Sequence, residues 1–252
     1  MLNIVIPMAG AGSRFAKAGY SDPKPLIKVH NIPMIRLVIE NLAPKQEHRF
    51  IFIIQDEHDK KYDLENRLKS WAPNSEVVKL DGLTEGAACT VLKAKAFIDS
   101  DDALMITNSD QYIDVDINRY LDSMETNNLD GLIMTMFADD PKWSFVSLDK
   151  NNLVTNVVEK EVISNEATVG IYNFRKGSDF ISSAEKMIAN DERVNGEFYV
   201  APAYNLMLSN SRVGIFNIGA EADGMYGLGI PDDLNLFLSK NISLEATKDI
   251  EL

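Results

Sequence analysis

The feature that most constrains this chain is the alternation, over its first 137 residues, of short β-branched runs with segments of helical period. Leu2-Asn3-Ile4-Val5-Ile6-Pro7 begins the series, and similar runs follow at residues 50–54, 76–80, 103–107 and 131–137. Between them, segments 34–42, 59–71, 86–97 and 116–124 read as helices; in the second, Tyr62, Leu64, Leu68 and Trp71 share one face. Strands alternating with helices predict a mostly parallel sheet between helix layers. After Pro141 the pattern changes. Residues 145–148, 153–159 and 168–174 read as antiparallel strands, with Asp149-Lys150-Asn151-Asn152 as a polar turn. Helices are expected at 178–189 and 198–208, a strand at 213–218, and a last helix from Pro231.

No repeat or linker divides the 252 residues, so one α/β domain over 1–252 is expected, with a small antiparallel lobe in its second half. The 25 basic and 38 acidic residues give a net charge of −13, which argues against non-specific nucleic-acid binding. A local cluster of cations would still hold one phosphate chain against that field. No stretch approaches the roughly 20 apolar residues of a membrane span. Residues 2–7 are too short, and lack a basic lead-in, for a signal-peptide core. Cys89 is the single cysteine, which excludes an internal disulfide and suits a reducing compartment. A cytoplasmic protein without a membrane partner is expected.

Open parallel sheets bind ligands beyond the carboxyl ends of their strands, so two loops matter most. After the first strand, Ala9-Gly10-Ala11-Gly12-Ser13 has no bulky side chain, so backbone N–H groups there can approach phosphate oxygens. Arg14 adds a planar fork of donors. Ten residues on, Pro23-Lys24-Pro25 sets a lysine between two prolines that restrict its backbone. Gly10-Ala11-Gly12 alone is equally compatible with a tight turn. The dinucleotide fingerprint fails, because Phe15 stands where its third glycine belongs, and no Gly-Lys-Ser/Thr follows to make a P-loop. After residues 103–107, Asn108-Ser109-Asp110 places a carboxylate where a hard cation such as Mg²⁺ would be held; capping the next turn is the competing role.

Pro7-Met8-Ala9-Gly10-Ala11-Gly12-Ser13-Arg14-Phe15, followed by Pro23-Lys24-Pro25-Leu26, resembles the signature of the sugar-phosphate nucleotidylyltransferases, L-A-A-G-x-G-x-R and then P-K-P/A-L. Pro7-Met8 departs from its first positions. The resemblance implies a nucleotide-diphospho-sugar transferase-like fold, with an NTP-binding half over 1–140 and an acceptor-binding half over 141–252. It implies that Ala9, Gly10, Ala11, Gly12 and Arg14 hold the NTP phosphates, that Lys24 meets the α-phosphate, and that Asp110 binds Mg²⁺. Leu83-Thr84-Glu85-Gly86-Ala87 falls where the family has Q-x-G-T-A, implying nucleotide contacts for Glu85 and Gly86. Glu85 departs from the commoner glutamine, and a helix cap would also explain Thr84.

In the second half, Val157-Val158-Glu159-Lys160 and Ala167-Thr168-Val169-Gly170-Ile171-Tyr172 resemble V-x-E-K-P and a-n-x-G-i-Y, and Asn195-Gly196-Glu197-Phe198-Tyr199 the family's e-x-y segment. Acceptor contacts are thereby implied for Glu159, Lys160, Gly170 and Glu197, although an ordinary exposed ion pair would also explain Glu159 and Lys160. Gly227-Leu228-Gly229-Ile230-Pro231-Asp232-Asp233-Leu234 resembles D-I-G-T-P-E-D-L, but the family's first aspartate, a second metal ligand, falls on Gly227. Asp223 is the nearest substitute, while Asp232 and Asp233 are expected to cap the last helix.

The activity implied is transfer of NMP from an NTP to a phosphorylated small-molecule acceptor with Mg²⁺ as cofactor. Stand-alone enzymes of this kind serve capsule or cell-surface polysaccharide pathways. The chain ends soon after the last helix, so no acyltransferase or left-handed β-helix extension is expected, and a homo-oligomer is left open. Two alternatives stand: a glycosyltransferase, which would show Asp-x-Asp where Ser109-Asp110-Gln111 stands, and a non-catalytic nucleotide-binding regulator.

Overall fold

The computed structural model describes residues 1–251. In chain order it begins with β1 (Leu2–Pro7), α1 (Ser13–Lys17), the hairpin β2 (Lys28–Val29) and β3 (Ile32–Pro33), and α2 (Met34–Leu42). Next come β4 (His48–Gln55), α3 (Asp56–Tyr62), α4 (Leu64–Trp71), β5 (Glu76–Leu80), α5 (Ala87–Leu92) and α6 (Lys95–Ile98). The middle of the chain holds β6 (Ala103–Thr107), β7 (Gln111–Ile113), α7 (Ile117–Thr126), β8 (Gly131–Phe137), β9 (Ser144–Leu148) and β10 (Val154–Glu159). Last are β11 (Glu166–Phe174), α8 (Gly177–Ala189), β12 (Val213–Glu221), β13 (Gly224–Gly227), α9 (Pro231–Leu238) and α10 (Asn241–Thr247).

Eleven strands form one sheet in the order β5-β4-β1-β6-β11-β8-β12-β13-β7, with β9 joining β11 and carrying β10 at its side. The β5, β4, β1 and β6 strands run parallel; β11 enters antiparallel between β6 and β8. The expected second-half strand is thus a central member of the main sheet, and the two halves share one architecture of sheet flanked by helices. One apolar cluster packs α2, α4 and α7 on one face; a second packs α5 and α8 on the other. Tyr204 lies stacked on Phe174, centroids 4.4 Å apart, and its buried hydroxyl donates to the Asn173 carbonyl at 2.7 Å, satisfying the one polar atom it takes into the core.

Three expected elements differ for physical reasons. The helix over 59–71 is two helices, because Asp63 takes a left-handed conformation (φ 53°) and the Asp59 carboxylate accepts from Glu65 N at 2.8 Å to start the second. The helix over 198–208 shrinks to a 3-10 turn, Ala201–Leu206. An α-helix from Phe198 would need an N–H at Pro202, which has none, and the Phe198 carbonyl accepts from Ala88 N at 3.0 Å instead. The helix over 86–97 is interrupted between α5 and α6, at Lys93–Ala94. Among the described residues, no helix is long and apolar enough to cross a membrane.

Candidate active site

The carboxyl ends of β1 and β6, neighbours in the sheet, bring the two loops singled out in the sequence together. The Lys24 ammonium lies 2.8 Å from Asp110 Oδ2, with both side chains about three-quarters covered (25% and 22% exposed). Gly12 sits against Lys24, its missing Cβ 3.6 Å from the lysine Cβ, and takes φ 59° as it opens α1. A left-handed turn at that point favours glycine. The backbone N–H groups of Gly10, Ala11 and Gly12 make no hydrogen bond among the described residues. Arg14, on α1, is exposed, and its charge falls on the carboxyl of Asp233.

Asp110 is held by the returning chain. Its carbonyl accepts from Leu228 N at 2.8 Å, and Gly229 leaves room for its carboxylate: a Cβ there would lie 2.5 Å from Oδ2. Gly170, with φ 81°, packs beside Asn108, whose N–H donates to the Gly170 carbonyl at 3.1 Å. Gly170 thus stands two residues from Asp110, across the β6–β11 ladder.

Asp223 is not brought to Asp110. Pairing of β13 with β7 runs Gly227↔Gln111, Tyr226↔Tyr112, Met225↔Ile113, so Asp110 faces Leu228 at one end. Asp223 lies beyond the other end, exposed, five residues and about 17 Å of extended chain away. A shared Mg²⁺ would need both carboxylates at about 2.1 Å, so this expected pair of ligands is corrected. Among the described residues no group of three or more His, Cys, Asp or Glu side chains is arranged around a metal position. Gly227 is not one of the positive-φ glycines; what stands at its missing side chain is the Asp233 carboxylate, 3.2 Å from an ideal Cβ. Burial pushes the Asp233 carboxyl above its ordinary range, Lys142 and Arg14 opposing, Glu221 and Asp232 adding.

Glu85 and Gly86 are tied to the second half of the chain rather than to the small loop. Phe198 N donates to the Glu85 carbonyl at 2.8 Å, and the Glu85 carboxylate lies 3.7 Å from Arg193. Gly86, φ 126°, has the Phe198 backbone where a Cβ would stand. The segment that does reach the small loop is the preceding turn. Leu80, Asp81, Gly82 and Leu83 line a recess with Gly10 and Ala11, closed by Gln55, Glu57 and His58. Gln55, Glu57, Asp81 and Gly82 carry no signal in the sequence; only their position after β4 and β5, beside β1, marks them.

Of the residues expected to contact an acceptor, Glu159 and Lys160 form a second centre. Glu159 is buried, takes a hydrogen bond from Ser144 Oγ and pairs with Lys160 Nζ at 3.0 Å. Burial lowers the affinity of Lys160 for its proton, but Glu159 outweighs it and holds the ammonium above its ordinary range. The same ammonium lies over the Tyr199 ring, 4.6 Å from its centroid. The Tyr172 hydroxyl meets Thr168 Oγ1 at 2.9 Å, and burial, with Glu159 nearby, pushes that phenol well above its ordinary range. Glu197 is exposed beside the two-residue Asn195-Gly196 turn that bonds Val194 to it at 3.0 Å in both directions.

The small-residue loop, a lysine and an aspartate thus meet at one edge of a mainly parallel sheet flanked by helices. The chain belongs to the nucleotidyl transferase family, whose model matches residues 4–199. It is similar to the bifunctional protein GlmU of Methanococcus maripaludis, 26% identical over 253 residues covering 96% of this chain and 56% of that protein. A mannose-1-phosphate guanylyltransferase catalytic subunit beta from Drosophila pseudoobscura pseudoobscura is 26% identical over 177 residues, 68% of this chain and 47% of that one. The chain therefore spans about half the length of these curated relatives. Among solved structures, a nucleoside-diphosphate-sugar pyrophosphorylase from Vibrio cholerae RC9 superimposes with a TM-score of 0.77 at 25% identity, covering 94% of this chain and all of that one.

Proposed function

We propose that the protein transfers NMP from an NTP to a sugar phosphate or a similar phosphorylated small metabolite, releasing pyrophosphate. The observation that supports this most is the Lys24–Asp110 pair, 2.8 Å apart, beside a loop with free N–H donors. The donors and Lys24 suit a triphosphate, and Arg14 stands in the first turn of the helix that follows the same loop. Asp110 is a single accessible carboxylate, which fits Mg²⁺, an ion commonly held by one or two carboxylates with substrate oxygens and water completing its shell. Bound there, Mg²⁺ would neutralise charge on the departing pyrophosphate.

On this reading an acceptor phosphate oxygen attacks the α-phosphorus, the new P–O bond forms, and the bond to pyrophosphate breaks. A phosphate monoester is already largely dianionic at neutral pH, its second pKa being about 6, so no strong base is required. Lys160 meets the acceptor phosphate, Glu159 takes hydrogen bonds from acceptor hydroxyls, and the Gly170 backbone and Glu197 complete that end. Catalysis rests on positioning and charge stabilisation. We extend the reading to the supply of precursors for capsule or cell-surface polysaccharide.

The test is a matrix of CTP, UTP, dTTP and GTP against hexose 1-phosphates and phosphocholine, with and without Mg²⁺, read by pyrophosphate release. Turnover of at least one pair is expected. Silence throughout, with nucleotide binding intact, would replace the reading with that of a regulatory nucleotide binder.

A further inference from the structure

Gln55 ends β4, the strand between β1 and β5, and is 6% exposed. It lines the recess, but both polar atoms of its side chain are spent on backbone. Nε2 donates to the Ala9 carbonyl at 2.5 Å and to the Gly82 carbonyl at 3.1 Å. Oε1 accepts from Gly82 N at 3.3 Å. The β4–β5 ladder stops at Gln55↔Leu80, and the amide of Gln55 then pairs with both backbone groups of Gly82, as one more peptide of the ladder would. The third bond crosses to the other neighbour, the turn after β1. One buried side chain therefore sets the separation of two turns, Ala9–Ala11 and Asp81–Leu83, that face each other across the recess described above.

That recess shares Gly10 and Ala11 with the loop whose N–H groups are free, so it is open to the base and ribose of a nucleotide whose phosphates lie on the loop. The turn on the far side is exposed over Asp81, Gly82 and Leu83. Leu83 is 69% exposed, Gly82 takes φ 101°, and nothing lies within 4 Å of the position its Cβ would occupy. Apart from Gln55, packing supplies little to hold it.

We propose that Gln55 is a positioning residue for the nucleotide: acting through Ala9 and Gly82, it fixes the width of the recess that receives the nucleoside end of the NTP. This rests on the nucleotide-transfer reading above. The Gln55 amide is spent on Ala9 and Gly82 rather than on substrate, so its removal acts first on nucleoside recognition, while Lys24 and the acceptor end make no contact with it.

The experiment uses Gln55→Met, which keeps length and removes all three hydrogen bonds, and measures by calorimetry the binding of the preferred NTP and of inorganic tripolyphosphate, alongside the acceptor KM. The NTP Kd is expected to rise about 10–100-fold, as two or three buried hydrogen bonds are lost from the nucleoside's framework. Tripolyphosphate binding and acceptor KM should change less than about 3-fold, since Lys24, Arg14 and the acceptor residues make no contact with Gln55 and the small loop keeps its other supports. Gly82→Ala, strained by its positive φ but meeting open space, should reproduce the selective loss; it also carries the test if Gln55→Met does not fold. Equal weakening of NTP, tripolyphosphate and acceptor would mean a general structural role and overturn the proposal, as would an unchanged NTP Kd in both variants. A wild-type protein that binds NTP without turnover, and loses that binding selectively in the variants, would overturn nucleotidyl transfer and keep the role of Gln55. A wild type that binds tripolyphosphate but gains nothing from the nucleoside would overturn both.

Discussion

Lys24 and Asp110, 86 residues apart in sequence, neutralise each other across 2.8 Å at the carboxyl edge of the sheet. A partly exposed pair of this kind contributes about 0–1 kcal/mol to stability, so its value lies in what the two charges do for ligands. Lys24→Ala is expected to lower turnover about 10²–10³-fold, as loss of a positioned group at a developing anion does, with Tm nearly unchanged. Asp110→Asn should remove the dependence of NTP binding on Mg²⁺. Gly229→Ala should imitate Asp110→Asn, because its methyl group would occupy the place of Oδ2. Wild-type rates in Lys24→Ala, or an unaltered Mg²⁺ titration in Asp110→Asn, would dissolve the assignment.

Lys160 offers a cleaner separation of the two substrates. Its ammonium bonds Glu159 and lies over Tyr199, away from the Lys24 loop in sequence and in strand. Lys160→Met should raise the acceptor KM about 10–100-fold, the effect of losing one charge-assisted contact to phosphate. The NTP KM should stay within about 3-fold of wild type, since separated sites act additively. The opposite split, with the NTP KM raised and the acceptor KM unmoved, would place the acceptor elsewhere.

Acid stability tests a different ion cluster. Lys79, on β5, meets Asp59 Oδ2 at 2.6 Å and Glu65 Oε2 at 2.7 Å, pinning the junction of α3 and α4 to the sheet. The Lys79 ammonium holds the Asp59 carboxyl below 3.8, and Lys69 with Lys79 holds that of Glu65 below 4.5. Carboxyls lowered on folding stabilise the native state above their unfolded pKa values and lose that contribution as pH falls through the folded ones. Lys79→Met should therefore lower Tm by a few degrees near pH 7, with the gap to wild type closing below about pH 3. A gap that stays constant from pH 7 to pH 3 would show that the effect is packing, not charge.

The parallel half of the fold was legible because buried parallel strands read as continuous apolar runs: residues 2–7, 76–80, 103–107 and 131–137 are strands with those bounds. The β7 and β13 strands were not, being three and four residues long with polar or glycine positions in each. Lys24 and Asp110 stood out because each has a local signature, a Pro-Lys-Pro element and a carboxylate just after a strand. Gln55 has none, and the signature of Asp233 points to a helix cap, whereas that helix has Ile230 at its N-cap and no side-chain cap bond. A glutamine at a strand end and an aspartate in a helix's first turn gain their meaning only from Gly82 and Gly227, brought to them by the sheet. Proximity of that kind is a property of topology, and no spacing along the chain encodes it.

Position 227 gives the last prediction. Its backbone needs no left-handed φ, so a side chain there costs no conformational strain, and the obstacle is Asp233 Oδ2 at 3.2 Å from the would-be Cβ. Burial already pushes the Asp233 carboxyl up, which means its charged form is held at a cost. A second carboxylate beside it adds like-charge repulsion, which in a half-buried setting is worth about 1–3 kcal/mol. Gly227→Asp is therefore expected to lower Tm at pH 7, and Gly227→Asn, of the same size without the charge, to lower it much less. The difference between the two should shrink at lower pH, as one carboxyl of the pair takes up a proton. Gly227→Asp with Asp233→Asn should recover the loss and present a carboxylate two residues from Gly229, against which Asp110 packs. Tighter Mg²⁺-dependent NTP binding by that double variant, measured by calorimetry, would show that position 227 still faces the ion. If Gly227→Asp is as stable as wild type at pH 7 and at lower pH, the repulsion with Asp233 is absent and the contact does not explain the glycine.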